Sequence, residues 1–536
     1  MGKVPPRKKP VSKAASKQPV NVPPPGKVPP SVTRRTQSAR PAGWVLAAVA
    51  GIFAVLLIAS AAWIARGDPT PPTEVSLSLT GTPSDIIVVD ATEPPPTPLP
   101  SPTFPPEETP TVGPTQPAGV CNPLCLARMH SGEGATAFLA EFGAKPTYEH
   151  GDQTWLSLDN RMLAQLEAEG KEFSLVDDVS DSSRLYVMRL PDGVDRSYID
   201  DMGTVVDGVG NQFIVDIPGP PPYVRDIIDM GISIEKLPPL LPVISQKGEK
   251  SEISDPGAVA ESVSVQQLKQ RVTDLQSMGS VEGGLGSREY SQPGNVQAAE
   301  YLYRRLASYG LNVWYEDFIG DNGRLLLNVV GEIPGNDPSK IYLMTAHFDT
   351  TADDTKNPVL APGALDNATG IAVLLEAARA LSTYQPQHPV HFVFFNAEEY
   401  AMQGAHAFAL NASTIESRPY AGAYNVDSVG ASLSQNQLYV NSANQTSQFL
   451  TNLLVDINDR WGLGVAVWPS TSDKIKADEA ELNAFGIPAV MAGSVLYGDP
   501  MINTSKDTIE QVDIWYVQAV GQLLTIAMAT LVSPGT

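Results

Sequence analysis

Cysteine is nearly missing from this chain of 536 residues: there are two, Cys121 and Cys125, in "CNPLC". So low a count excludes a fold framed by disulfides. On an oxidising side of a membrane the pair would close one small loop. A metal knot completed by His130 is the other reading of the same residues. Histidine is also scarce, six in all, and none follows His406. Basic residues thin out after the start. Residues 1–42 carry ten Lys/Arg and no Asp/Glu, whereas the remainder holds 26 basic against 59 acidic residues. The chain's net charge of −23 thus becomes −33 beyond that tail. Such acidity repels phosphate backbones and argues against a nucleic-acid partner.

What is present begins with "GWVLAAVAGIFAVLLIASAAWIA", Gly43 to Ala65, a run without a charge. At 1.5 Å per residue it reaches the roughly 30 Å of a bilayer core. Trp44 and Trp63 stand near its ends, where amphipathic rings favour the interface. The cationic residues before it predict a cytoplasmic basic tail (1–42), a transmembrane signal anchor (43–65) and extracytoplasmic domains on a single-pass cell-membrane protein. A signal peptide cut near Ala59–Ala61 is the alternative, but the apolar run and its leader are long for one. Residues 66–120 are proline-rich and read as an extended, stiff spacer.

From 121 to 242 a faint repeat of strand, short helix, glycine and strand predicts a small α/β domain of stacked similar units. Gly170, Gly203 and Gly231 fall where helices would end. Residues 243–262 read as a linker. The last part, 263–536, alternates buried-strand runs such as "KIYLMTAHFD" and "HPVHFVFFNAEE" with helical runs such as "NVQAAEYLYRRLASYG". That alternation predicts an α/β fold, a mainly parallel mixed sheet with helices on both faces.

Acidic or imidazole groups recur where those strands end. His347 and Asp349 close the first, Asp366 precedes a helix, Glu398 and Glu399 close the next strand, and Asp427 the one after. Ligands of open α/β sheets bind beyond the carboxyl ends of the strands, so these segments converge on one rim. One imidazole with several carboxylates is a donor set for Zn²⁺. Adjacent glutamates repel unless a cation lies between them. With metal present, one can bind it while the other takes a proton from water.

The order "HFDT", "APGALDNATG", "NAEEYAMQGA", "NVD" and "GIPAV" resembles the zinc exopeptidases of the bacterial leucyl aminopeptidase and glutamate carboxypeptidase type, over roughly residues 265–530. The resemblance implies that His347, Asp366, Glu399 and Asp427 are zinc ligands, with Asp366 bridging two ions. It also implies Glu398 as the general base and Asp349 as the partner that supports His347. The chain departs from the family at Leu365-Asp366-Asn367, at Ala477-Asp478-Glu479, and at Asn503. There "NTSKDT" replaces the family's His-Thr-x-x-Asp-Thr. Asn503 is a weak zinc donor beside an imidazole, so one complete zinc site and a weak or absent second are expected. His406 is expected to pack rather than to substitute. The implied activity is a membrane-anchored metallo-exopeptidase, an aminopeptidase acting on peptide substrates. The competing readings are a peptidase-fold ectodomain kept for binding and, third, a single-metal enzyme of the glutaminyl cyclase kind.

Overall fold

The computed structural model describes residues 121–534 except for the short stretches 122–123, 177–180, 243–249, 281–283, 356–358, 415, 432–436 and 495–500. The expected basic tail, membrane anchor and proline-rich spacer lie outside the described residues.

Cys121 and Cys125 are joined as a disulfide, and Asn160 accepts from the Cys121 N–H and donates to its carbonyl. His130 instead meets Gln153. The following region is two copies of one βαββαβ plan. The first copy comprises β1 (Cys125–His130), α1 (Glu133–Phe142), β2 (Tyr148–His150), β3 (Gln153–Leu158), α2 (Asn160–Ala168) and β4 (Ser174–Val176). The second comprises β5 (Leu185–Arg189), α3 (Ser197–Asp200), β6 (Thr204–Val209), β7 (Gln212–Asp216), α4 (Val224–Asp229) and β8 (Ser233–Lys236). Both sheets are antiparallel with equivalent strand orders, β2-β3-β1-β4 and β6-β7-β5-β8.

The alternation of side chains explains the stacking. In β5, Tyr186 and Met188 face the helices of their own copy, while Leu185 and Val187 face the other sheet. Leu126, Trp155 and Val176 of the first sheet meet Leu185, Val187 and Ile214 of the second, so the two sheets pack face to face. Period-2 patterning with both faces apolar is what such a double layer requires. The stacked units expected from the sequence are thus halves of two larger repeats, and the half made by β1, α1 and β2 was missed. Gly170 and Gly231 do take left-handed backbone after their helices. Gly203 does not. A Cβ there would stand 2.2 Å from the Asp216 carbonyl, so close approach of two strands demands glycine.

Of the expected linker 243–262, residues 243–249 lie outside the described ones. From Ser251 the chain builds β9 (Ser251–Glu252) and α5 (Pro256–Glu261), with Val259 and Ala260 buried. The helix α6 (Val265–Gln276), capped by Ser264, and α7 (Pro293–Ser308), opened by proline, follow. Then come β10 (Asn312–Ile319), β11 (Leu325–Ile333), β12 (Ile341–His347), α8 (Thr369–Leu381), β13 (Tyr384–Gln385, paired with β9), β14 (Val390–Phe395) and α9 (Gln403–Thr414). The domain ends with β15 (Tyr420–Val426), β16 (Gln437–Asn441), α10 (Gln448–Trp461), β17 (Ala466–Ser470), α11 (Asp478–Ala484), β18 (Ala489–Gly493) and α12 (Ile514–Leu531).

Eight of these strands form one sheet in the order β10-β11-β14-β12-β15-β18-β16-β17. Its centre, β14-β12-β15-β18, is parallel. The pairs β10/β11, β11/β14 and β16/β18 are antiparallel, so the sheet is mixed as expected. One face is covered by α6, α8 and α12 in the largest apolar cluster; the other is covered by α9 and α11 through Phe408, Ala405 and Leu482. Among the described residues only α12 is long and apolar enough to cross a membrane, and 67% of it is buried inside the domain. Here it is a core helix, started by Asp513, which accepts from Trp515 and Tyr516 N–H.

Candidate metal centre

Two strand ends and the turn before a helix deliver the donors to one rim. His347 is the last residue of β12, Asp366 opens the turn into α8, and Asp427 follows β15. His347 Nε2 lies 3.1 Å from Asp366 Oδ1 and 3.4 Å from Asp427 Oδ1. One donor atom from each of the three falls within 4.8 Å of the others, and all three residues are buried. Burial opposes charge on the imidazole, but the Asp427 carboxylate and the neighbouring Asp349 and Asp366 hold its pKa well above the usual range. One imidazole cannot neutralise so many buried acids. The donor set therefore suits a cation.

The loop after β14 answers why two glutamates stand together. Asp349 accepts from the Glu398 N–H at 2.9 Å and from the Glu399 N–H at 3.3 Å. Its Oδ1 is 3.6 Å from His347 Nδ1, too far for a hydrogen bond. Asp349 thus positions the glutamate pair by their backbone while lying beside the imidazole. Ala397, Ala401 and Met402 all adopt left-handed backbone around the pair, a concentration of strain characteristic of sites built for function. Gly404 closes the loop where a Cβ would stand 2.4 Å from both Asn328 Oδ1 and the Asn396 carbonyl. Burial, then neighbouring charge, raises both glutamates well above the carboxylate range. For Glu399 the foremost neighbour is Asp366, and its Oε1 is shielded without any hydrogen-bond partner.

Several residues that hold the rim went unread in the sequence. Asp507 accepts from the N–H groups of Leu365 (2.7 Å) and Asp366 (2.9 Å), pinning the Asp366 turn. Asn367 donates to the Val426 carbonyl and accepts from Ser428 N–H, tying that turn to the Asp427 strand. Arg288 is fully buried and donates to four carbonyls, those of Phe348, Leu275, Pro362 and Gly363. Asp507 stands in "NTSKDT" and Asn367 in "LDN", so both lay inside motifs already quoted; nothing local distinguished Arg288.

Asp478 is the outlier of the group. It is wholly buried at the start of α11, and neither carboxylate oxygen has a hydrogen-bond partner. Burial raises its pKa well above the usual range, opposed by the His347 charge. Its neighbour Glu479, raised to about 8 by burial and then Asp427, at least accepts from the Ala477 N–H.

Residues 328–528 match the sequence profile of peptidase family M28. This part of the chain is an M28 peptidase domain. Aminopeptidase YwaD of Bacillus subtilis is 28% identical over 210 residues, 36% of this chain and 41% of its own length. A probable zinc metalloprotease of Pyrenophora tritici-repentis is 37% identical over 109 residues, 20% of this chain and 22% of its own. Among solved structures, the LapA aminopeptidase of Legionella pneumophila is 16% identical over 66% of this chain and 99% of its own, with a TM-score of 0.45. The chain thus spans less than half the length of these two sequence relatives.

Within the M28 domain the expected ligands divide. His347, Asp366 and Asp427 come together; Glu399 stands outside their grouping, beside Asp366. Asn503 is held by its backbone, in the left-handed region, its carbonyl accepting from Asp353 N–H. His406 packs on α9, edge-on to Phe485, and bonds Glu481 at 2.9 Å, so it does not replace the missing imidazole.

Proposed function

We propose that the chain is a membrane-anchored, extracytoplasmic metallo-exopeptidase that removes residues from the amino end of peptides. The observation that carries this reading is the buried trio His347, Asp366 and Asp427 beside a loop that presents Glu398. Zinc is the metal read from the relatives' names and from the imidazole-carboxylate donor set. His347, Asp366 and Asp427 would hold it, and it would supply Lewis acidity to the scissile carbonyl and to water.

The chain's own residues supply the rest. Glu398 accepts the proton of the attacking water and returns it to the leaving amine. Asp349 fixes that carboxylate by bonding its backbone N–H. Asp507 and Asn367 hold the Asp366 turn against the Asp427 strand. Preference for the amino end follows from charge. The rim is rich in carboxylates, and Arg288, the guanidinium whose charge couples to Asp507, Asp349 and Asp366, is committed to four carbonyls. A substrate ammonium is welcome there and a substrate carboxylate is not.

The second reading, a peptidase fold retained for binding, draws support from Asn503. Metal content per chain and hydrolysis of a panel of aminoacyl and blocked peptides, with Zn²⁺, Mn²⁺ or Co²⁺ added, separates the two. We expect cleavage of unblocked peptides, falling about 10²–10⁴-fold in Glu398→Ala with metal content unchanged. Absence of hydrolysis under every metal, restored by Asn503→His, establishes the binding reading instead. Release of the protein from membranes on deletion of residues 1–66 tests the anchor.

A further inference from the structure

The loop that presents Glu398 and Glu399 is tied to a neighbour. Strands β10 and β14 both run antiparallel to β11, so the hairpin joining β10 to β11, residues 320–324, opens on the same rim as that loop. One side chain spans the gap between them. Gln403, the first residue of α9, accepts from the Asp321 N–H through Oε1 at 2.8 Å and donates from Nε2 to the Tyr400 carbonyl at 2.8 Å. A second link runs beside it. The Tyr400 ring stacks on Tyr290 with centroids 3.8 Å apart, and the Tyr290 hydroxyl lies 3.4 Å from Asp321 Oδ1.

The far side of the hairpin is held by the second βαββαβ repeat. The repeat's loop between β7 and α4 carries Pro220, Pro221 and Pro222, whose fixed φ stiffens it. The Pro221 carbonyl accepts from Leu325 N–H at 3.0 Å, and the Pro220 carbonyl accepts from Arg324 Nη1 at 2.6 Å. In return the Gly323 carbonyl accepts from Val224 N–H at 2.9 Å. Leu325 is buried in the repeat's own apolar core, with Tyr186, Val215 and Ile217. Contacts thus run without a break from the repeat, through the hairpin and Gln403, to the residue after Glu399.

The glutamate loop needs such support. Ala397, Ala401 and Met402 hold left-handed backbone without being glycine, and that persists only where surrounding contacts over-determine it. Within the loop, the Glu398 carbonyl accepts from Met402 N–H and the Ala397 carbonyl from Gln403 N–H. Asp349 holds the pair from the end of β12, and the Gln403 side chain holds it from the hairpin.

We propose that Gln403 is a positioning residue for Glu398 and that, through it, the second repeat is a working part of the metal site and not a spacer. The catalytic half of this proposal rests on the peptidase reading; the coupling of repeat to loop does not.

The test is hydrogen exchange of the full chain, read by mass spectrometry over residues 396–402, together with kcat and KM on an unblocked peptide. Gln403→Leu removes both bonds of the bridge and should speed exchange there about fivefold or more. Arg324→Ala, which loosens only the grip of the repeat on the hairpin, should speed it about twofold or more. Peptides from β12 and α12 should exchange at wild-type rates in both. Gln403→Leu should also lower kcat about tenfold with KM and metal content unchanged, the mark of an interaction made in the transition state. Wild-type exchange over 396–402 in either variant, or acceleration spread evenly over the domain, overturns the coupling. Faster exchange with wild-type kcat overturns the positioning role. An inactive wild type whose loop still loosens in both variants removes the peptidase reading, and the catalytic role of Gln403 with it, while supporting the coupling.

Discussion

Glu376 and Asp478 are both wholly buried carboxylates of the same domain, treated in opposite ways. Under α8, Glu376 receives Arg271, both the Nε and Nη2 of Arg379, and the Ser264 N–H, so each oxygen is bonded. Its pKa falls despite burial. At the rim, Asp478 has no bonded partner at all, and Glu399 keeps one bare oxygen. The same chain evidently can satisfy an interior acid when the acid serves the scaffold. Unsatisfied acids collected at one sheet edge are therefore best understood as facing a cation that belongs there.

Substitutions that reverse one side of this contrast test it. Glu376→Gln leaves Arg271 buried without its counter-charge and should destabilise the protein by about 3–5 kcal/mol, measured by denaturant unfolding. Asp507→Ala frees the Asp366 turn without touching a donor of the trio. Metal affinity, read by competition with a chromophoric chelator, should fall about 10–100-fold while the fold persists. Asp478→Asn should have the opposite sign from Glu376→Gln. In chelator-treated protein it removes an unbonded buried carboxyl whose ionisation burial opposes, and should raise stability by about 1 kcal/mol. A loss comparable to that of Glu376→Gln would dissolve the contrast.

A further test lies in pH. Burial raises Glu316 to about 7 when folded, against its ordinary 4.5 when unfolded, so the folded state holds the extra proton between those values. Its contribution is complete below about 4.5 and is lost as pH rises to about 7. Unfolding free energy of wild type relative to Glu316→Gln should decline across that window. Glu376 has the reverse dependence, its contribution disappearing as pH falls through its lowered pKa. A flat difference curve for Glu316 would mean that burial does not raise its pKa.

Much of the site could be read from the sequence because its chemistry sits at strand ends. His347, Asp366, Glu398 and Asp427 each follow or precede a recognisable apolar run, and topology sends all such ends to one edge. The parallel strands β12, β14 and β15 and the helices α7 and α8 were readable for the same reason, long runs with clear terminators. The strands β10 and β11 were not. The run "LLLNVVGEI" of β11 is apolar almost throughout, and such a run does not distinguish a buried strand from a helix. The βαββαβ repeats were seen only as half-units, since local pattern shows that a strand has two apolar faces but not which sheet covers the second.

Sequence by itself determined the donor types, their order along the chain, the missing imidazole at Asn503 and the single cysteine pair. These depend on residue identity and on short-range pattern. Tertiary structure alone decided that Asp349 grips the Glu398–Glu399 backbone, that Asp507 and Asn367 clamp the turn, and that Asp478 goes without a hydrogen-bond partner. Hydrogen-bond satisfaction and desolvation arise between segments far apart in the chain, 142 residues in the case of Leu365 and Asp507. No local window of sequence contains both partners.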